Sequence, residues 1–244
     1  IFKKKEFLID HLGDITDIHN HILPGIDDGA ANIEESIQLI KKFKNLGITN
    51  FIATPHVMND YYPNTPETIN NALNILKETI SKDESIEGIN LAAAAEYMMD
   101  HSFLEILQDQ PLLALKGKYV LVEMSYFQAP INLNEILFQL QTKGYKPVLA
   151  HPERYGYYHA SDLRKYEELK NRGCLFQLNT LSLTTHYGKN IQKTAQKLLE
   201  ADMYDFLGSD THRMQHIEKL KNIQLHKKTL ECVKGLIVST KEIF

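Results

Sequence analysis

Asp14-Ile15-Thr16-Asp17-Ile18-His19-Asn20-His21 is too short for a typical helix and ends on two imidazoles. In an extended strand residues two apart share a side, so Asp17, His19 and His21 face the same way. Six further short runs follow at intervals: Phe51–His56, Leu91–Tyr97, Tyr119–Met124, Pro147–His151, Leu175–Thr180 and Tyr204–Asp210. They are mostly apolar on both faces and bounded by turn residues, as strands of a buried parallel sheet should be. Helix candidates alternate with them. Asn32–Leu46 is the clearest, with Asn32 as N-cap, Glu35 three residues on, and Gly47 as the stop. The others are Pro66–Ser81, Asn132–Lys143, Ser161–Arg172, Asn190–Ala201 and Met214–Lys234.

Alternating strands and helices fit either an open doubly wound sheet or a closed β/α barrel. The strand ends decide. Six of the seven runs finish in, or just before, a His, Asp or Glu, and the Leu175–Thr180 run carries Asn179 instead. An open sheet gathers chemistry at one crevice, whereas a barrel brings every strand end to one mouth. The expected fold is therefore a seven-stranded (β/α) barrel with the site at its C-terminal mouth. No Pro/Gly/Ser-rich linker interrupts the chain, so residues 1–244 are expected to form a single domain.

Composition narrows the function. Lys+Arg 27 against Asp+Glu 31 gives a net charge of −4, which argues against nucleic acid or an anionic membrane as the main partner. No apolar run approaches the ~20 residues of a membrane span, so no direct membrane insertion is expected. Cys174 and Cys232 are too few for a thiolate-rich metal site. Neither has an Arg six residues downstream, where Thr180 and Val238 stand, so neither heads the phosphate loop of a cysteine phosphatase.

The strand ends supply His19, His21, Asp28 just beyond them, His56, Glu96, Glu123, His151, Asp210 and His212. Any one of these has a bland explanation as a satisfied structural group. Five imidazoles and four carboxylates at one mouth do not, because cations are needed to balance such a cluster. Nine ligands exceed one ordinary coordination sphere and suit two or three divalent ions. Without thiolates the choice falls among manganese, iron, magnesium and zinc.

The set His19-x-His21, Asp28, His56, Glu96, Glu123, His151 and Asp210-x-His212 resembles the polymerase-and-histidinol-phosphatase (PHP) superfamily. The wording Asp17-Ile-His-Asn-His-Ile-Leu-Pro-Gly-Ile-Asp-Asp-Gly29 is similar to its bacterial capsule-locus protein-tyrosine phosphatases. So are Ala150-His-Pro-Glu-Arg-Tyr155 and Ser209-Asp-Thr-His212. The resemblance implies a trinuclear centre, manganese foremost, with His19, His21, Glu96 and Asp210 in one set. Glu96, Glu123 and His151 would form a second, and Asp28, His56 and His212 a third. It implies a phosphate-binding Arg154. A second such arginine usually lies a few residues past the last His; here Arg213 follows it directly, as a second catalytic arginine or as an exposed helix start. It also implies a cytoplasmic enzyme acting on the tyrosine-rich tail of a bacterial tyrosine kinase that controls polysaccharide export.

The expected chemistry is in-line attack of a metal-acidified hydroxide on phosphotyrosine, with no covalent phospho-enzyme. A phenol with pKa ~10 leaves with little help from an acid; His186 and His216 are candidates only because no metal role claims them. Tyr61 and Tyr62, with Met58, either flank the substrate ring or pack their loop, and Tyr126-Phe127 and Tyr155 pose the same choice. A histidinol phosphatase or other small-molecule phosphomonoesterase is the nearest rival. An amidohydrolase often has a Lys on a central strand, and Val120-Leu-Val-Glu-Met124 has none. A non-catalytic barrel that only docks a phosphorylated tail would show losses from the ligand set. Oligomeric state is not legible.

Overall fold

The computed structural model describes residues 5–159 and 162–244. The chain runs through β1 (Lys5–Phe7), β2 (Thr16–Asp17), α1 (Ile33–Lys44), β3 (Asn50–Ala53), β4 (His56–Val57) and α2 (Pro66–Ile80). It continues with β5 (Asn90–Ala93), β6 (Glu96–Met98), α3 (Phe103–Asp109), β7 (Tyr119–Glu123), α4 (Leu133–Thr142) and β8 (Lys146–Ala150). The last part holds α5 (Arg164–Asn171), β9 (Leu175–Asn179), α6 (Lys189–Glu200), β10 (Phe206–Gly208), α7 (Met214–Lys221), β11 (Gln224–His226) and α8 (Lys227–Ile243).

The fold is α/β with parallel sheets. One six-stranded sheet has the order β10-β9-β8-β7-β6-β4, and a three-stranded sheet has the order β2-β3-β5. The second and third runs each divide between the two sheets. Pro55 cannot donate to a ladder, yet Ala94 N donates to Ala53 O and Glu96 N to Pro55 O, which carries the pairing across the break. The first run is a ladder strand only at Thr16–Asp17 because its later groups serve both neighbours. Thr54 N donates to Asn20 O on one side, and His21 N donates to Thr211 O on the other, beside a parallel bridge between Asn20 and Thr211.

Helices cover the outside and bury the larger core. A smaller apolar cluster of Ile18, Ile52, Ala94, Leu121, Val148 and Phe206 lies among the strands. Two residues past Ala94 and Leu121, on the same faces, come Glu96 and Glu123. The apolar layer thus underlies the polar one.

Most expected helices form close to the expected limits. At α1 Asn32 Oδ1 accepts from Glu35 N, while Glu35 Oε2 accepts from Ala31 N, one residue before the position a capping box would use. The helix expected over Met214–Lys234 is corrected: it breaks after Lys221, and Gln224–His226 pairs antiparallel with β1. Burial of Leu225 against that distant strand outweighs helical continuity. The helix expected from Ser161 starts, where described, at Arg164; Ser161 itself and Ile1–Lys4 lie outside the described residues. No helix among the described residues is long and apolar enough to cross a membrane.

Candidate metal centre

All nine expected ligands meet. Four overlapping groups connect them: His21, Asp28, His56 and His212; His19, His151 and Asp210; His19, His21 and Glu96; and His56, Glu96 and Glu123. Glu96 is the hub. Its Oε2 lies 3.2 Å from His19 Nε2, 3.5 Å from His21 Nε2 and 3.1 Å from His56 Nδ1, and its Oε1 lies 3.2 Å from His151 Nε2. Asp210 Oδ1 lies 3.3 Å and 3.4 Å from the same two Nε2 atoms of His19 and His21. Asp28 Oδ1 lies 3.4 Å from both His56 and His212. Some close approaches also run between the three sets implied by the resemblance. Glu123 Oε1 stands 2.8 Å from His56 Nδ1, and His151 groups with His19 and Asp210.

His19 Nε2, His21 Nε2, His56 Nδ1, Glu123 Oε1 and both oxygens of Glu96 are buried with no hydrogen-bond partner. Buried polar atoms left unpaired are costly, and lone pairs converging on shared points are the arrangement a cation requires. The donor set fits divalent ions with nitrogen and oxygen ligands.

The outer ring atoms are tied down. His19 Nδ1 is 2.8 Å from Gln177 Oε1, and His21 Nδ1 is 2.8 Å from Asp27 Oδ2. Each partner is an acceptor, so Nδ1 carries a proton and Nε2 is the ring atom that would face a bound cation. Asp27 Oδ1 also accepts from Gly29 N. A Cβ on Gly29 would come within 2.0 Å of His21 O, so only glycine lets this loop lie on the His21 backbone. His151 and Asp210 have positive φ, 37° and 52°, a conformation most non-glycine residues avoid. Both strand ends therefore curl, an outlier of the kind that clusters at functional sites.

The centre's field favours positive charge. Burial opposes the charge of His56, but Glu123 and Glu96 raise it well above the ordinary imidazole value. Burial likewise opposes charge on His21, yet the carboxylate of Asp27 helps push it up to about 10. Burial would raise Glu96 and Asp210, but the imidazoles around them, His19 foremost, hold both well below the usual carboxylate range.

Arg154 lies beside the cluster. Its Nη1 donates to Asp210 Oδ2 at 2.7 Å, and its guanidinium lies between the rings of Tyr126, at 4.7 Å, and Tyr187, at 4.1 Å. Such a sandwich fixes the plane of the group. Asn179 Nδ2 donates to both Asp210 Oδ2 and Tyr187 Oη, so the one run without an acid or imidazole still serves the site. Glu153 points away from it, accepting from Asn179 N and Tyr204 Oη. Asp17 likewise accepts from Ser209 rather than joining the cluster.

A cleft of about 820 Å³ leads to the centre, lined at its floor by His56, Glu123, His151, Arg154 and Asp210. Tyr61, Tyr62, Met58, Tyr126 and Phe127 line its walls, and Tyr62 stacks on His56 at 5.6 Å. Tyr155 does not line it; that ring is buried, and its hydroxyl donates to Ala150 O. Arg213 lines an adjoining cavity with Asp28 and His212, while Arg154 lines the cleft. His186 and His216 line neither; burial lowers both, His216 to about 4 with the neighbouring His212 contributing. A larger cavity, about 980 Å³, opens at the strand starts beside Asn50 and Asn90 and holds none of the nine residues. Burial pushes the Cys174 thiol up to about 12, far from a neutral-pH thiolate nucleophile.

Fold and site together define an α/β protein with a thiolate-free histidine–carboxylate centre of the kind that holds divalent cations. The chain belongs to the capsular polysaccharide synthesis family CpsB/CapC, whose family model matches residues 15–234. It is 34% identical to CapC of Staphylococcus aureus over 81% of this chain and 77% of that protein. It is 32% identical to the tyrosine-protein phosphatase YwqE of Bacillus subtilis over 82% of this chain and 78% of that protein. A chain from the crystal structures of YwqE and of CpsB from Streptococcus pneumoniae, described as metal-dependent tyrosine phosphatases, matches with a TM-score of 0.79. That match is 26% identical and covers 94% of each chain.

Proposed function

We propose that the protein is a metal-dependent protein-tyrosine phosphatase, a single domain over residues 1–244 that works in the cytoplasm. Kinship with YwqE and CpsB supports the activity. The observation that carries the reading is one cleft whose floor holds unpaired ligand atoms and Arg154 and whose walls are aromatic. The bridge between Asn20 and Thr211 supports reading the two parallel sheets as one distorted seven-stranded barrel.

His19, His21, Asp28, His56, Glu96, Glu123, His151, Asp210 and His212 would hold two or three divalent ions, manganese first, with iron, magnesium or zinc as alternatives. When bound, such ions supply positive charge for the phosphoryl oxygens and a nucleophilic water for in-line attack. Arg154 adds charge-assisted hydrogen bonds to the transferring group, pre-oriented by Asp210, Tyr126 and Tyr187. Arg213 enters as a second source of positive charge from the far side of the wall formed by Asp28 and His212. Tyr61 and Tyr62 flank the substrate ring. A phenolate leaves at pKa ~10 without a strong acid, which suits a site whose spare imidazoles are held neutral.

Family membership supports a phosphotyrosine protein of the capsule system, the tyrosine-rich tail of a bacterial kinase, as the partner. A small-molecule phosphatase on the same centre would need no open, apolar-walled cleft. Phosphate release from a phosphotyrosine peptide, a phosphoserine peptide and histidinol phosphate tests the choice. Phosphotyrosine is expected to lead by about 10²-fold or more in kcat/KM, since a pocket built for one leaving group rejects another strongly. Preference for histidinol phosphate would overturn the substrate and leave the metals in place.

A further inference from the structure

Among the described residues eight large apolar side chains are exposed, and four of them gather at one place. Tyr61 is 75% exposed, Tyr126 45%, Phe127 92% and Ile131 101%, and all four line the cleft above the candidate metal centre. Concentrated apolar exposure of this kind marks a binding surface, whereas scattered single residues need no explanation. The rim is also held in place. Phe127 N donates to Ser125 Oγ at 3.2 Å, Tyr157 Oη donates to Ser125 O at 2.9 Å, and Met58 and Tyr62 pair across the other loop. A pre-ordered rim loses little freedom on binding.

Charge narrows the occupant. Asp60, Asp100 and His101 line the same cleft, and among the described residues that line it Arg154 at its floor is the one Lys or Arg. Asp100 accepts from Ser102 and from Asn59 N, which fixes its carboxylate at the edge. An acidic side chain at the rim would meet these carboxylates with no Lys or Arg beside them, whereas an apolar one would meet Phe127 and Ile131.

We infer that this rim docks the residues flanking phosphotyrosine in an extended peptide and selects apolar neighbours over acidic ones. The inference rests on the phosphatase reading and adds to it a sequence preference outside the phosphotyrosine pocket.

The test measures kcat/KM of the manganese-loaded protein on matched phosphotyrosine peptides with leucine, serine or glutamate on both sides, beside free phosphotyrosine. The expected order is leucine, serine, glutamate, with about tenfold between the extremes, the lower end of what one or two methylenes in an apolar pocket discriminate. Ile131→Ser and Phe127→Ser should bring the leucine-to-serine ratio toward one, and Asp60→Asn with Asp100→Asn should narrow the serine-to-glutamate gap. Both apolar positions are exposed, so folding is not at stake. Equal rates on all three peptides, or a leucine-to-serine ratio that Ile131→Ser leaves in place, would overturn the inference. So would a wild-type dimer at assay concentration that Ile131→Ser dissolves without changing the ratio, since the rim would then belong to a second copy. Failure on free phosphotyrosine and every peptide alike would sink the phosphatase reading itself, and this preference with it.

Discussion

Glu96→Gln is expected to lower kcat on phosphotyrosine by about 10³-fold or more, ~4 kcal/mol of barrier. The change keeps the side chain's shape and removes its charge. Glu96 is fully buried, and its two oxygens lie within 3.5 Å of nitrogen atoms on His19, His21, His56 and His151. Among the described residues no other carboxylate reaches four of the imidazoles, so none is placed to replace it should the site hold two cations. An amide is a weaker ligand for a divalent cation than a carboxylate, and the loss should appear as fewer bound ions per chain by elemental analysis. Helix content should be kept, because the apolar cluster beneath the site does not depend on Glu96. Activity within tenfold of wild type at full metal content would remove Glu96 from the centre of the site.

Arg154→Ala should produce a different signature: kcat/KM lower by about 10²–10³-fold with metal content retained. Arg154 donates to Asp210 Oδ2, but Asn179 donates to that oxygen too, so the Asp210 carboxylate keeps a partner when the guanidinium is gone. What is lost is the planar cation between Tyr126 and Tyr187. Lysine cannot stack or fork in that slot, so Arg154→Lys should recover only a small part of the rate. Bound ions counted beside the kinetics separate this outcome from damage to the ligands. A fall in metal content equal to the fall in rate would assign Arg154 to structure rather than to phosphate.

The nine candidate ligands are legible because chemistry leaves a local mark: a carboxylate at the end of Leu91-Ala-Ala-Ala-Ala-Glu96, or in Val120-Leu-Val-Glu123, is hard to bury without a partner. Strand and helix alternation was legible for the same reason, since each run carries its own pattern. What could not be read were features made by distant partners. β1 and β11 pair across more than two hundred residues, and that pairing breaks the expected last helix. Asp27 looked like a neighbour of Asp28, and only the fold puts it on His21 Nδ1. Gln177 and Asn179 did carry a signal: two amides, two residues apart, in an otherwise apolar strand, sharing a face. How the candidate ligands would divide among cations depends on rotamers, and Glu123 stands 2.8 Å from His56, which the resemblance puts in another set. Tyr187 carries no motif; its place under Arg154 comes from the turn after β9.

Under the proposed function, turnover requires cations held by the nine residues and used on phosphotyrosine. Manganese titrated into metal-stripped protein, with bound ions counted and phosphate release from a phosphotyrosine peptide measured at each step, tests that most directly. We expect no turnover without metal, and a rate that climbs only as a second ion per chain fills. Full turnover in metal-free protein, or a maximal rate with a single bound ion, would contradict it.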